Sequence, residues 1–265
     1  MDLKDKIVWL TGGSSGIGEA LTYELLKRGT TVIASSEDQA GLDRVQSTCD
    51  PDVRSRCHIV MFDLTKLDDI DDIVKEQIDK FGRIDILINL SGISQRSLVK
   101  ETSMDIFRKI MEINYFGTIA FTKAVLPYMI KQGGGHILAT SSIVGKFGFP
   151  LRSAYSSAKH ALHGFYETLR LETIEDNIRV TILVPGRVQT KISVHSLTKD
   201  GTPHGKMDAG LASGITADKA ARQIISAIRK NKKEALIGGK ELLMVYFKKY
   251  LPFIFYKIAS KIEPT

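Results

Sequence analysis

The chain of 265 residues contains only two cysteines, Cys49 and Cys57. Two thiols cannot make a disulfide framework, and the plain expectation is a pair of reduced thiols in a cytosolic protein. No run of 18 apolar residues occurs, so no segment is expected to cross a bilayer as a helix. Met1-Asp2-Leu3-Lys4-Asp5-Lys6 runs straight into a short apolar stretch, Ile7–Leu10, without the longer apolar region of a secretory leader, and none is expected. Repeats and low-complexity blocks are missing, as is any Cys/His/Asp cluster at ligand spacing, so no metal is expected.

Net charge is also missing from most of the chain. The total is +7, yet residues 1–215 hold 26 Lys and Arg against 26 Asp and Glu. Residues 216–265 hold eleven basic residues against four acidic ones, the whole of the excess. A neutral body and a tail rich in aromatic and aliphatic residues argue against a nucleic-acid binder. With 43% hydrophobic and 25% charged residues, the composition is that of an ordinary globular domain.

What is present is alternation. Short apolar stretches rich in Ile, Leu and Val fall at Ile7–Leu10, Thr31–Ala34, His58–Phe62, Ile84–Asn89, His136–Thr140, Arg179–Val184 and Ala235–Ile237. They read as strands buried on both faces. Segments of helical period lie between them, at about 17–28, 38–47, 66–81, 103–131, 155–176 and 217–231. Such repetition predicts a parallel α/β sheet with helices on both faces. No linker interrupts it, so one domain is expected over 1–238, followed by a basic, aromatic-rich extension over 239–265.

The first strand ends in Thr11-Gly12-Gly13-Ser14-Ser15-Gly16-Ile17-Gly18, and a helix follows. Glycines at 12, 16 and 18 permit a tight turn and close approach of a pyrophosphate, and the helix N-terminus offers free N–H groups to it. This Thr-Gly-x-x-x-Gly-x-Gly spacing resembles the short-chain dehydrogenase/reductase family. The resemblance implies a doubly wound Rossmann-type sheet of about seven strands, in the order 3-2-1-4-5-6-7, and a nicotinamide dinucleotide. It assigns dinucleotide contacts to Gly12, Ser14, Ser15, Gly16, Ile17 and Gly18. It also assigns Ser36 to the adenosine ribose, Asp63 to the adenine amino group with Leu64 beside it, and Asn89, Ser91 and Gly92 to the turn after the fourth strand. Asp63-Leu64-Thr65 reads equally as a helix-capping aspartate. Asn89-Leu90-Ser91-Gly92 keeps the first and last residues of the family's Asn-Asn-Ala-Gly and departs at the middle two.

Tyr155 and Lys159 stand four apart on a helix and so share a face. A neighbouring ammonium lowers a phenol pKa from about 10 toward the working range and makes a tyrosine usable as a general acid/base. Lys159 is also placed to hold the nicotinamide ribose. Ser142, thirteen residues upstream at a strand end, is placed to hydrogen-bond a substrate carbonyl. The family resemblance adds Asn114, as the asparagine that holds a water linked to the lysine. It also adds Pro185, Gly186, Val188 and Thr190 around the nicotinamide, the last two at its carboxamide.

The cofactor choice turns on Ala34-Ser35-Ser36-Glu37-Asp38. Ser36 falls where the NAD-type aspartate would stand and Glu37 where the NADP-type arginine would stand. No Lys or Arg lies at 13–15. Two carboxylates without a cation lean the expectation toward NAD over NADP.

Residues 193–214, with Gly201, Gly205, Gly210 and Gly214, read as a substrate lid or an inert surface loop. Phe147 and Phe149 are placed to wall an apolar pocket. Gly92-Ile93-Ser94-Gln95-Arg96-Ser97 resembles the subgroup of membrane-associated carbonyl and steroid reductases, relatives of dehydrogenase/reductase member 7 and 11β-hydroxysteroid dehydrogenase. That subgroup mostly uses NADP and carries an N-terminal anchor, which this sequence does not display. Six of the twenty aromatic residues fall within 246–256, beside Lys248, Lys249 and Lys257. This tail suits a membrane interface or packing on the substrate mouth or another subunit, in a homodimer or homotetramer. The expected activity is carbonyl/secondary-alcohol interconversion on a hydrophobic small molecule, in a cytoplasmic or peripheral-membrane enzyme. A reductase of sugars or 3-oxoacyl substrates and a non-catalytic dinucleotide sensor are the alternatives.

Overall fold

In the computed structural model, which describes residues 2–261, seven parallel strands form one sheet. They are β1 (Ile7–Thr11), β2 (Thr31–Ser36), β3 (Cys57–Met61), β4 (Ile86–Asn89), β5 (Gly135–Thr140), β6 (Ile178–Pro185) and β7 (Glu234–Ile237). Their spatial order, β3-β2-β1-β4-β5-β6-β7, is the one that the family resemblance implies. Val8 of β1 pairs with Val32 of β2 on one side and Ile86 of β4 on the other. The chain therefore builds outward from β1 to one edge, then returns and builds to the other. The strand ends at that reversal leave a crevice, where ligands of open α/β sheets bind.

The helices are α1 (Gly16–Leu26), α2 (Gln39–Thr48), α3 (Pro51–Arg54), α4 (Ile70–Phe81), α5 (Met104–Met111), α6 (Thr118–Lys131), α7 (Ser153–Glu172), α8 (Ala209–Ala212), α9 (Ala217–Arg229), α10 (Leu243–Tyr250) and α11 (Pro252–Ala259). Strand side chains alternate between two cores, because successive residues point to opposite faces. Val8 and Leu10 pack with Leu21 and Leu25 of α1, Leu42 of α2 and Ile224 and Ile228 of α9. Trp9, between them in sequence, packs with Val74 of α4, Phe121 and Val125 of α6 and Tyr166 of α7. Burying each such Leu, Ile or Val side chain contributes about 1.5–3 kcal/mol. The Trp9 indole meets the Phe121 ring edge-on at 4.8 Å and donates to Ser35 Oγ at 2.8 Å, so its polar atom is satisfied.

The helix expected over 103–131 is two helices, α5 and α6, joined by a π-helical turn over Glu112–Gly117. The Asn114 side chain supplies the reason. Its Nδ2 donates to Ile110 O at 3.0 Å and so competes for the carbonyl that a regular helix would give to the Asn114 N–H. Ser103, Thr216 and Asp38 each cap the helix that follows them. Gly82, at φ +76°, closes α4 with its N–H on Ile78 O.

A third apolar cluster sits over the crevice. Phe147, Tyr155, Ala158 and Leu197 pack there with Phe255 and Ala259 of α11. Pro252 stands at the first position of α11, where its missing N–H costs nothing, and so divides the tail into two short helices. Phe255 reaches the Phe147 ring at 4.9 Å, while Tyr246, Tyr250, Phe253 and Tyr256 remain exposed. Among the described residues no helix is long and apolar enough to cross a membrane. Cys49 and Cys57 are buried free thiols, and burial pushes Cys57 up to about 12.

Candidate active site

The turn after β1 is shaped by close approaches. Gly12 and Gly16 are left-handed, at φ +70° and +57°. A Cβ on Gly18 would overlap the Gly12 carbonyl oxygen, and one on Gly16 would come within 3.1 Å of Thr190 Cγ2. Ser15, at the N-cap of α1, makes no side-chain cap bond, so the first helical N–H groups are left for a ligand. Thr11 Oγ1 accepts from the N–H groups of Leu90 and Ser91, both at 3.1 Å, and ties this turn to the one after β4.

These turns open into a cavity of about 650 Å³ at the C-terminal ends of the strands. Gly12, Ser15, Gly16, Ile17, Gly18, Ser91 and Gly92 line it, with Ser142, Tyr155, Lys159, Pro185, Gly186, Val188 and Thr190. Ser14 lies beneath the turn, its Oγ 3.0 Å from Ser36 Oγ. Asp63 Oδ1 accepts from the N–H and Oγ1 of Thr65 at 2.9 and 2.8 Å in a local turn, and the helix-capping role read as its alternative does not form, because Lys66 and Asp69 stand at the N-caps of the elements that follow. Leu64 is buried in the core against Gly117. The Asn89 side chain turns into the core as well, donating to Thr122 Oγ1 at 3.0 Å and Tyr166 Oη at 3.2 Å.

α7 carries Tyr155 and Lys159 into the cavity wall. Gln95 anchors its start, accepting from Ala154 N at 2.8 Å and donating to Thr102 Oγ1 at 2.9 Å and Ser153 Oγ at 3.3 Å. The Lys159 ammonium lies 5.7 Å from the Tyr155 ring centre and donates to Thr140 O at 2.8 Å. Lys159 is 3% exposed, and burial pushes its pKa down to about 7. Burial raises the Tyr155 phenol, while the Ser142 hydroxyl and the Arg96 and Arg152 guanidiniums pull it down. Ser142 caps a short turn after β5, accepting from Val144 N at 3.4 Å. Neighbouring Ser141 instead donates to Lys159 O at 2.9 Å, so of the two serines it is Ser142 that faces the phenol.

Asn114 is wholly buried and clasps the loop after β4. It accepts from Ile93 N at 3.1 Å and donates to Ile93 O at 2.9 Å. A side chain on Gly92 would strike Asn114 Oδ1, and Lys159 Nζ lies 3.3 Å from where it would start. Phe147 and Phe149 line the cavity, as does Met244 of α10.

Several residues that shape the site have no signal in local sequence. Arg44 of α2 donates to Ser14 O at 2.9 Å and pairs with both Glu19 carboxylate oxygens. The expectation of no cation near the adenosine end is thereby corrected, because α2 folds back over the glycine turn. Glu241 accepts from Arg187 N at 2.8 Å and so fastens the turn after β6 from the start of the tail. Ligand atoms of His163, Glu167 and Glu234 lie within 4.8 Å of one another, a grouping of one His and two Glu that sequence spacing does not show because Glu234 comes from β7. Helical i,i+4 spacing brings the first two together, and Lys146 Nζ holds Glu234 at 2.6 Å.

The 193–214 segment is tied down over the cavity. Leu197 N donates to Ser94 O at 2.9 Å, Arg96 N donates to Leu197 O at 2.8 Å, and Asp208 is paired with Arg96 and Arg152.

Comparison with known proteins agrees with this construction. The model of the family described as short chain dehydrogenase matches residues 6–200. "Dehydrogenase/reductase SDR family protein 7-like" of Drosophila melanogaster is 36% identical, over 98% of this chain and 81% of its own length. "Dehydrogenase/reductase SDR family member 7B" of Mus musculus is 36% identical, over 97% of this chain and 81% of its own. A short-chain dehydrogenase from Streptomyces avermitilis has a solved structure with TM-score 0.81 and 26% identity, covering 97% of this chain and 96% of that one. One from Burkholderia phymatum, solved in complex with NAD, shares the fold at TM-score 0.82 and 20% identity, covering 100% of this chain and 98% of that one. The strand order, the glycine turn and these likenesses agree: the chain belongs to the short-chain dehydrogenase/reductase family of oxidoreductases.

Proposed function

We propose that the protein interconverts a carbonyl and a secondary alcohol on a hydrophobic small molecule with a nicotinamide dinucleotide, and that Tyr155 moves the proton. The observation that carries this reading is the convergence of Ser142, Tyr155 and Lys159 on one cavity with the glycine turn. The chain's residues fit the dinucleotide: Gly13 and Gly18 leave no room for a side chain in the turn, and the start of α1 presents N–H groups where the pyrophosphate would lie. Ser15, Gly16, Ile17 and Gly18 would hold the phosphates, Lys159 the nicotinamide ribose, and Val188 and Thr190 the carboxamide. When bound, the nicotinamide would exchange a hydride with the carbonyl carbon.

Ser142 positions the substrate oxygen, and the Tyr155 hydroxyl donates its proton to that oxygen or, in the reverse direction, removes it. Lys159 favours the ionised phenol whenever it carries its own proton. Phe147, Phe149 and Met244 favour an apolar substrate body over a sugar. NAD is the preferred dinucleotide in this proposal. Glu37 is exposed beside the end of β2, and Arg44 is already neutralised by both oxygens of Glu19. The exposed aromatic face of α10 and α11, with Lys248, Lys249 and Lys257, is proposed to meet a membrane surface or a second subunit.

The test combines NADH and NADPH fluorescence titration with turnover of a panel of hydrophobic ketones. Tyr155→Phe is expected to lower turnover at least about 10²–10⁴-fold while leaving dinucleotide affinity within twofold. Retained turnover in that variant would remove Tyr155 from the acid/base role.

A further inference from the structure

The cavity wall around Tyr155 carries an uneven set of charges. Arg96, in the loop after β4, and Asp208, in the 193–214 segment, each leave only 3% of their side chains exposed. Arg96 Nε donates to Asp208 Oδ2 at 3.0 Å and Oδ1 at 3.3 Å, and its Nη2 also bonds Oδ2. Arg152, one residue ahead of α7, donates through Nη2 to the same Oδ2 at 2.9 Å. Its Nη1 bonds Pro150 O at 3.0 Å, and its guanidinium lies 5.4 Å from the Phe149 ring centre. Two cations thus share one carboxylate, and all three groups line the cavity with Tyr155. His204 Nε2 approaches no closer than 3.8 Å to Asp208 Oδ1.

The carboxylate and its partners belong to different parts of the chain. Arg96 and Arg152 sit on the body, whereas Asp208 is brought by a segment of four glycines. A buried charge left unpaired is strongly destabilising, so this contact holds the segment in place more firmly than its few backbone bonds do. Arg96 and Arg152 are also the two cations that pull the Tyr155 phenol down, and in this contact they share one carboxylate.

Resting on the reading of Tyr155 as the acid/base, we propose that Asp208 is a positioning residue that both pins the 193–214 segment over the cavity and sets the charge facing Tyr155. With the segment down, the two guanidiniums carry one net positive charge. With it lifted, they carry two. Weaker positive charge keeps the proton on the phenol, ready for a substrate oxygen, and stronger positive charge favours the phenolate. Closure and the working protonation state of Tyr155 therefore become one event. Lys159 from α7, His195 from the segment itself, Arg187 and Lys191 after β6 and Glu241 from the tail also face the cavity, and each stays unchanged in the variants that test this.

The experiment is the pH dependence of kcat/KM for Asp208→Asn and Arg152→Gln, with limited trypsin digestion of each full-length variant. Removing the carboxylate is expected to move the limb assigned to Tyr155 about one pH unit toward acid, a tenfold change in the phenol's proton affinity. Removing a guanidinium is expected to move it toward alkali. Cleavage after Lys199 and Lys206, both exposed in the segment, should accelerate at least tenfold in Asp208→Asn, and Asp208→Glu should restore most of both effects. A merely structural role would lower the rate by one factor at every pH. Limbs that stay in place in both variants overturn the proposal, and Arg152→Gln alone decides it should Asp208→Asn fail to fold. An inactive Tyr155→Phe beside an unmoved Asp208→Asn limb rejects this proposal alone, whereas an active Tyr155→Phe rejects the reading beneath it.

Discussion

Both ends of the sheet bury polar groups, and they treat them in opposite ways. At the N-terminal ends of the strands, Asp85 is 7% exposed and fully engaged. It accepts from Ile7 N at 2.9 Å, from Arg83 at 2.6 Å and from Lys6 at 3.3 Å. Gln132 closes on the backbone of Ile84 and Gly134, and His136 bonds Thr181 Oγ1 at 2.8 Å. The hollow left there is about 180 Å³. At the C-terminal ends, Lys159 and Tyr155 are buried as deeply, yet among the described residues Lys159 has no carboxylate partner, and the space beside it is about 650 Å³. One end uses nearly all of its polar groups on each other, with His136 Nδ1 left over, which yields stability. The other holds them unbalanced against a cavity, which yields chemistry at a cost in stability.

Substituting Lys159 breaks this contrast most sharply. Lys159→Met is expected to lower turnover about 10²–10⁴-fold, because the phenol loses its cation. Stability should move the other way. Burial holds the ammonium pKa down at about 7, far below that of the unfolded chain. Between pH 7 and about 10.4 the unfolded chain therefore binds one more proton than the folded one, and stability rises with pH at about 1.4 kcal/mol per unit. Below pH 7 the full cost is present. Urea midpoints of the ligand-free protein between pH 7 and 10 should show this rise in the wild type and lose one proton's worth of it in Lys159→Met. Equal slopes would mean that the ammonium is not held out of water as the geometry implies.

The same contrast explains what was legible in the sequence. Strands buried on both faces are unbroken apolar runs, so all seven could be found, while their order was supplied by the family resemblance and not by the runs themselves. Tyr155 and Lys159 are one helical turn apart, and Ser142 ends a strand, so their nearness is a local property of the chain. The features that were not legible depend on distant partners. Arg44 reaches Ser14 across 30 residues, Glu241 reaches Arg187 across 54, and Asp208 meets Arg96 across 112. No periodicity encodes such pairs. The π-helical turn at 112–117 was hidden for another reason: its residues are those of an ordinary amphipathic helix, and only the Asn114 side chain, competing for Ile110 O, makes it different.

At the other end the expected effect is on stability alone. Asp85→Ala leaves the Ile7 N–H without its acceptor and should cost about 1–3 kcal/mol. Lys6 and Arg83 are 35% and 51% exposed and can return to water, which keeps the loss below that of a fully buried pair. Turnover per folded molecule should stay within twofold of wild type. A larger fall in kcat at unchanged fold would mean that the two ends of the sheet are coupled.

The smallest effect sharpens the comparison by its pH dependence. His136 is 1% exposed, and burial, with Arg179 nearby, pushes its pKa down to about 4. Its Nδ1 has no hydrogen-bond partner, so protonation would place an uncompensated charge beneath the sheet. Between about pH 6.5 and 4 the unfolded chain binds the proton that the folded one refuses, so stability falls as pH falls through that window. His163, one turn past Lys159 on α7, is also held down at about 4 by burial and Lys146, and it adds a slope of the same sign. His136→Gln should therefore remove about one proton from the pH dependence of the urea midpoint and leave the share of His163 in place. It should leave the pH profile of turnover untouched, since His136 lies at the end of β5 away from Ser142. A shift in the kinetic limb would place His136 in communication with the upper cavity and would end the division of labour between the two ends of the sheet.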